Sequence, residues 1–514
     1  MNCSILHVNH LFGAMMLSFA TMTSVVHVEA QTYSAAARVD TKTVYQHIDG
    51  FGGTGMNGQW ADRYTKLKVY RLWGKGESYM NYNIMRVRIN PNQGNWGEYG
   101  NPIIWGRTAN PDLVVFATPW TPPKKFKTSK TTKYKNEFGT DVWPLVEHAW
   151  GGEGSNGGEM NSDYIEQYAT FLNNYRKTMI SKGCPIDIIS IQNECDYTPT
   201  ATDGGVEHAS YESCIFSPNQ MAAMVKALKA KVPEDFKVMG PECFGWGQHG
   251  FNNKLVSIPD AVENIDIWGN HIYGINDWSY INKITAKTGK PMWMTEFSVD
   301  NRTGKWTEEY GFIDNVETTL ANGFSAYVYY NMLNEFFGDG TSDNKNESSN
   351  TLHKRAYVFG HYARYATGKW RTKIIITDNN SQKITGSAYT SVTGDTISVF
   401  LLNRSNYEYK ISVMLPDTMT QVRQAVTNQN ENRVITDVTA QYGGSKRPSL
   451  ILKPASFYTF EFIRQADPSA ISTPKPESVG DSRVYDLSGR EIPSLRLAGR
   501  GSVIIRDGKK YLKR

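Results

Sequence analysis

The chain has 514 residues, of which 20% are charged and 12% aromatic, and a formal net charge of +5. This is an ordinary globular composition, long enough for two or three domains with a large core. Residues 479–514 hold nine Lys/Arg against four Asp/Glu, a net +5; positive charge confined to one tail excludes a basic nucleic-acid-binding surface as the main theme.

In chain order, residues 1–30 read as a signal peptide. "LFGAMMLSFATMTSVV" is an apolar run, and "VEA" before Gln31 fits a small-x-small cleavage site. The segment before the run has no Lys or Arg, which departs from the usual leader, and a membrane anchor is the alternative. No other stretch is long and apolar enough to span a bilayer, so the mature chain is expected to have no membrane span. Beyond the leader stand Cys184, Cys195, Cys214 and Cys243, with no C-x-x-C pair and no metal-ligand spacing. Cys195 and Cys214 flank one loop and could bridge it; four free thiols are the other option.

Residues 31–46 form a lead-in strand. From 47 to 370, eight strand-like runs alternate with helical or loop segments: 47–53, 84–90, 113–120, 186–194, 237–243, 265–273, 292–298 and 326–332. Helix candidates include "SDYIEQYATFLNNYRKTMISKG" and "SPNQMAAMVKALKAKV", the second capped by Ser217-Pro218. This rhythm predicts an α/β fold, a (β/α)8 TIM barrel. After Trp370 the runs shorten and alternate, as in an antiparallel β-sandwich over 371–464. A Pro/Ser/Ala linker at 465–478 leads to a small β-rich segment, 479–514. There are no internal repeats.

Catalytic residues of such barrels sit at the C-terminal ends of strands. "IDIISIQNE" ends on Glu194 and "MWMTE" on Glu296. Two carboxyl groups facing each other across a barrel mouth suit glycoside hydrolysis, where one protonates the leaving oxygen and the other attacks or activates water. A helix cap or an arginine pair would explain each carboxylate equally from position alone, and Glu242 and Glu335 compete at other strand ends. Asn193 could donate to a sugar 2-hydroxyl. Arg86, Arg88 and Asn90 share one strand face. Arg88 and Asn90, nearer the strand end, are the site candidates, and Arg86 reads as a core ion pair. Trp60, Trp120, Tyr197, Trp246, Trp268, His271 and Tyr273 complete the sugar-contact candidates, each with plain packing as the alternative.

Seven motifs in order, "DGFGG", "MRVRINPNQGNW", "ATPWTPP", "SIQNECDY", "YESCIFS", "GNHIYG" and "WMTEFSVD", resemble glycoside hydrolase family 30, especially its bacterial xylanase subfamily 8. The resemblance implies a barrel with an attached β-sandwich that the lead-in strand joins. It implies retaining chemistry without metal or organic cofactor, with Glu194 as acid/base and Glu296 as nucleophile. Trp120 and Tyr197 match sugar-contacting positions, and Tyr273 the residue close to the nucleophile. The implied partner is a polysaccharide, xylan. Glucuronoxylan-specific members carry an arginine just past the eighth strand to grip the acidic branch. Here "YYNMLNEFFGDG" has none, and Glu335 and Asp339 would repel such a branch. An endo-xylanase that does not require glucuronate follows; Arg302 could partly replace the missing charge, with a plain surface arginine as the favoured alternative. Cys195 stands where relatives often have Pro. The ending from "VYDLSGRE" onward resembles a type IX secretion sorting signal, which implies that machinery as a partner and an extracellular or cell-surface location. Two alternatives are another family activity, on β-1,6-glucan or a β-glucoside, and a surface glycan-binding protein without catalysis.

Overall fold

The computed structural model describes residues 33–54, 64–147, 152–245, 250–275, 277–299, 305–337, 350–378, 383–464 and four short strands beyond 483. The 1–30 leader, the 465–478 linker, Trp60, Trp246, Arg302 and Asp339 lie outside the described residues.

Eight strands close a barrel: Gly50–Thr54, Ile84–Ile89, Val114–Pro119, Ile188–Ser190, Lys237–Cys243, Ile267–His271, Met292–Phe297 and Ala326–Tyr330. Neighbours pair in parallel, and the eighth pairs with the first. The strands read as nearly unbroken apolar runs because both faces are covered. Inside, Ile84, Phe116, Ile188, Met239, Ile267, Trp293, Ala326 and Val328 form a closed plug. Outside, a larger cluster packs the strands against returning helices, among them Ile165–Ser181 and Pro218–Lys229. Ser217 caps the latter, its side chain accepting from Gln220 N–H while the Gln220 side chain bonds back. The first strand must be glycine-rich, since a Cβ on Gly52 would sit 1.8 Å from the Ile84 carbonyl oxygen.

The fourth strand is shorter than the 186–194 run suggests. Its ladder is Ile188–Ser190. The chain then follows the rim of the fifth strand: Ile191 N–H donates to Met239 O at 3.1 Å, and Glu194 N–H to Glu242 O at 2.8 Å. Gln192, Asn193 and Glu194 therefore belong to the mouth of the barrel.

The side domain is one curled sheet of nine strands. Their order is Val434–Asp437, Gln421–Thr427, Ser456–Ile463, Thr396–Asn403, Ile384–Thr390, Trp370–Asp378, Tyr33–His47, Tyr409–Met414 and Ser449–Leu452. It folds over a core of its own, in the manner of a sandwich. The lead-in strand sits within this sheet, antiparallel to Trp370–Asp378 and parallel to Tyr409–Met414. That parallel pair is an exception to the antiparallel pattern. His361, on the helix Lys354–Tyr365, bonds Thr459 Oγ1 at 2.8 Å and Thr427 Oγ1 at 2.9 Å, tying barrel to sheet. Four short antiparallel strands, Val484–Tyr485, Glu491–Ile492, Val503–Arg506 and Lys509–Leu512, form the ending. Among the described residues no helix is long and apolar enough to cross a membrane.

Of the two cysteine options, four free thiols is the one observed and the Cys195–Cys214 bridge is not. Cys184, Cys195, Cys214 and Cys243 are all free and buried, and Cys195 Sγ faces Cys243 Sγ at 3.9 Å, not Cys214. The fourth and fifth strand ends run side by side, which brings these two thiols together.

Candidate active site

Strand alternation stacks Ile84, Arg86 and Arg88 up one inward face of the second strand. Ile84 belongs to the apolar plug. One rung higher, Arg86 is fully buried and gathers the polar groups of the mouth. Its Nη1 donates to Glu296 Oε2, and its Nη2 donates to Asn193 Oδ1 at 2.6 Å and lies 3.2 Å from Glu242 Oε1. Its guanidinium also lies 4.6 Å from the Trp120 ring centre, a cation–π contact. Burial opposes the charge on Arg86, but Glu242 and Glu296 outweigh it and raise its pKa. The site thus carries its own fixed cation.

Glu296 is 7% exposed. Besides Arg86, it receives the Tyr273 hydroxyl on Oε1 at 3.4 Å. Glu194, 4% exposed, sits in the left-handed region at φ 50°, unusual for a residue with a Cβ. Its Oε2 accepts from the Tyr211 hydroxyl at 3.0 Å, and its Oε1 lies 3.2 Å from His271 Nδ1. A carboxylate oxygen of Glu194, a ring nitrogen of His271 and a carboxylate oxygen of Glu296 all lie within 4.8 Å of one another. Two acids about 100 residues apart in sequence therefore face each other.

Their electrostatic settings differ. Burial pushes the Glu194 carboxyl up to about 7, with Tyr211 and Arg86 pulling it back and Glu242 adding to the rise. Glu296 instead lies directly against a permanent positive charge. Burial lowers His271 to about 4, so its ring is neutral near pH 7. A protonated carboxyl beside a carboxylate held by arginine can give a proton on one side of a scissile bond and a nucleophile on the other.

Other candidates fall into place unevenly. Asn193 turns its oxygen to Arg86, which leaves the Nδ2 hydrogens as its donor side. Gln192 Nε2 donates to Trp120 O at 2.6 Å and Asn193 O at 2.9 Å, bracing the rim. Tyr197 and Tyr273 sandwich Phe244, with ring centres at 4.1 and 5.2 Å, and Phe297 extends the row beyond Tyr273 at 5.2 Å. All four rings are half-buried, forming an aromatic wall beside the carboxylates.

Three expectations are corrected. Arg88 turns to Glu212 and Glu98, with Asn90 also on Glu98, while Arg86 holds Glu296. The rung above Arg86 meets a loop, not the acids. Trp268 is fully buried in the outer core, because its neighbour Ile267 takes the inward position. A stacking platform at 268 is ruled out. Glu335 is not a bare negative charge either; buried Arg355 contacts it at 3.1 Å and Glu309 at 3.1 Å. Sequence reasoning missed Tyr211, Phe244 and Phe297. Tyr211 and Phe297 lay in singled-out motifs, "YESCIFS" and "WMTEFSVD", and Phe244 lay just past the "KVMGPEC" run.

No family model matches the chain. It is 24% identical over 406 residues to a glucuronoxylanase XynC of Bacillus subtilis, across 77% of this chain and 84% of the relative. Among solved structures, it is similar to a glycoside hydrolase family 30 subfamily 8 xylanase from Clostridium acetobutylicum, with TM-score 0.66 and 22% identity over 83% of this chain and 99% of that one. The resemblance is to glycoside hydrolase family 30, nearest subfamily 8. A family 30 endoxylanase from Clostridium papyrosolvens aligns with TM-score 0.63 and 21% identity over 83% and 100% of the two chains. These family 30 structures share the barrel with its attached β-sandwich.

Proposed function

We propose that this chain is a retaining glycoside hydrolase that cleaves β-1,4-xylan internally. The observation that carries the reading is the pair Glu194–Glu296, with oxygens within 4.8 Å and opposite electrostatic settings. Retaining enzymes hold their carboxyls about 5–5.5 Å apart, against roughly 6.5–9.5 Å for inverting ones, which must fit a water between.

Glu296 attacks the anomeric carbon while Glu194 gives its proton to the departing sugar oxygen. A covalent glycosyl ester on Glu296 results, and Glu194 is now ionised. Glu194 then takes a proton from water, the water oxygen attacks the anomeric carbon, and Glu296 leaves. Arg86 places its positive charge against Glu296 Oε2. Asn193 Nδ2 donates to the 2-hydroxyl, and the aromatic wall of Tyr197, Phe244, Tyr273 and Phe297 offers ring faces to the sugars.

Xylan as substrate is supported by the named relatives and by the seven motifs. Independence of glucuronate rests on the sequence "YYNMLNEFFGDG", which contains no Arg or Lys. The repulsion expected from Glu335 drops out of that reasoning, since Arg355 compensates it. Delivery outside the cell is supported by the 1–30 pattern and the type IX-like ending. The test is product profiling on β-1,4-xylans, β-1,6-glucan and β-glucosides with wild type and Glu194→Gln. Xylo-oligosaccharides from wild type alone are expected. Cleavage of only β-1,6-glucan, or binding without turnover, would overturn the proposal.

A further inference from the structure

The barrel mouth holds a second buried ion cluster that the two-carboxylate chemistry leaves unused. Arg88 donates through Nε to Glu212 Oε2 at 3.2 Å and again through Nη2, and lies 3.8 Å from Glu98. The segment after Glu212 is pinned as well. Ser213 O accepts from buried Lys127 Nζ at 2.7 Å, and Ser213 Oγ accepts from Gly157 N–H at 2.9 Å. Ser213 Oγ also donates to Tyr211 O at 3.2 Å. Tyr211 is the exposed end of this fixed segment, 40% accessible, and it rests its hydroxyl on Glu194. On its other side lies a largely exposed hairpin, Thr200–Asp203 with Val206–Ala209, whose buried end Ala209 accepts from Asn156 Nδ2 at 3.2 Å.

We propose that Arg88 and Glu212 are positioning residues that hold Tyr211 on Glu194, and that Tyr211 sets where Glu194 gives up and regains its proton. This rests on the reading of Glu194 as acid/base. The same group must be protonated in the first step and ionised in the second, so its proton affinity has to lie near working pH. A hydroxyl donated to a carboxylate favours the ionised form. Burial drives Glu194 upward, and the Tyr211 hydrogen bond is the strongest pull in the opposite direction. Burial, followed by Glu194 and Glu296, raises the Tyr211 hydroxyl's own pKa, so it stays a donor. The other groups acting on Glu194 are His271, Arg86, Glu242, Glu296, Asp196, Tyr197 and Tyr273. Tyr211→Phe leaves all of them in place and removes one oxygen.

The experiment is a pH profile of kcat/KM and kcat on an activated aryl xylobioside for wild type, Tyr211→Phe, Glu212→Gln, their double variant and Glu194→Gln. The basic limb in Tyr211→Phe should move up by about one pH unit. At pH values below the Glu194 transition, and if hydrolysis of the glycosyl-enzyme is the slow step for this activated substrate, kcat should fall about tenfold as less Glu194 is ionised. Glu212→Gln should move the limb the same way, and the double variant no further than Tyr211→Phe alone. A basic limb that Glu194→Gln abolishes but Tyr211→Phe leaves in place would overturn the role of Tyr211 alone. Shifts that add in the double variant would overturn the Arg88–Glu212 linkage. Full turnover in Glu194→Gln would overturn the acid/base reading, and this proposal with it. Should Glu212→Gln fail to fold, Tyr211→Phe still decides the role of Tyr211.

Discussion

Glu194→Gln should stabilise the protein, and do so increasingly as pH rises. Burial sets the folded carboxyl at about 7, against an ordinary value of 4.5. The folded state therefore binds this proton more tightly than the unfolded state. Stability from the protonated group is fully present below pH 4.5 and is lost as pH climbs through 7. The gap from 4.5 to 7 corresponds to about 3 kcal/mol at 1.36 kcal/mol per pH unit. Gln has nearly the same shape and never charges, so it escapes this loss. Asp196, raised to about 7 by burial and in part by Glu194 itself, titrates in both proteins, so the difference between them reports Glu194 together with its coupling to Asp196. For a chain of 514 residues the unfolding entropy is roughly 1 kcal/mol/K, so about 3 kcal/mol appears as about 3 °C in Tm. Thermal melts of both proteins at half-unit steps from pH 4 to 8 measure it. The advantage of the variant should grow by that amount across the range. A difference that stays flat with pH would refute the claim that Glu194 is held protonated by burial.

Arg86→Met should abolish more than 99% of kcat, since Glu296 and Glu242 lose their shared cation. Breaking a buried pair in this way costs about 3–5 kcal/mol, read by denaturant titration. Trp268→Phe should lower Tm by a few degrees while KM for xylan stays within about twofold, because 268 packs in the outer core. Kinetics on glucuronoxylan and on unsubstituted xylan should give kcat/KM values within about tenfold of each other, a gap of at most 1.4 kcal/mol; strict dependence on the acidic branch would contradict the reading of "YYNMLNEFFGDG".

The barrel was legible because parallel strands covered on both faces are mostly apolar, as "AYVYY" and the "MWM" start of "MWMTEF" are. The acids were legible because such strands end in polar residues only where the chain reaches the mouth. Depth within the barrel was not legible. Alternation puts Arg86 and Arg88 on one face, but which rung meets Glu296 depends on the stagger of strands distant in sequence. Trp268 and His271 are three residues apart in one strand, so alternation alone opposes both facing inward. The parallel pairing of Tyr33–Arg38 with Tyr409–Met414 spans most of the chain and leaves no local trace. Tyr211 reaches Glu194 from a loop fixed by Arg88, a tertiary effect with no periodic signature.

The anomeric configuration of the first product tests the central claim most directly. Proton NMR of a xylan digest in its first minutes, before mutarotation, should show the β-anomer of the new reducing end accumulating first. Initial accumulation of the α-anomer would mean that water attacks directly from the opposite face, and would contradict a nucleophilic Glu296 paired with Glu194.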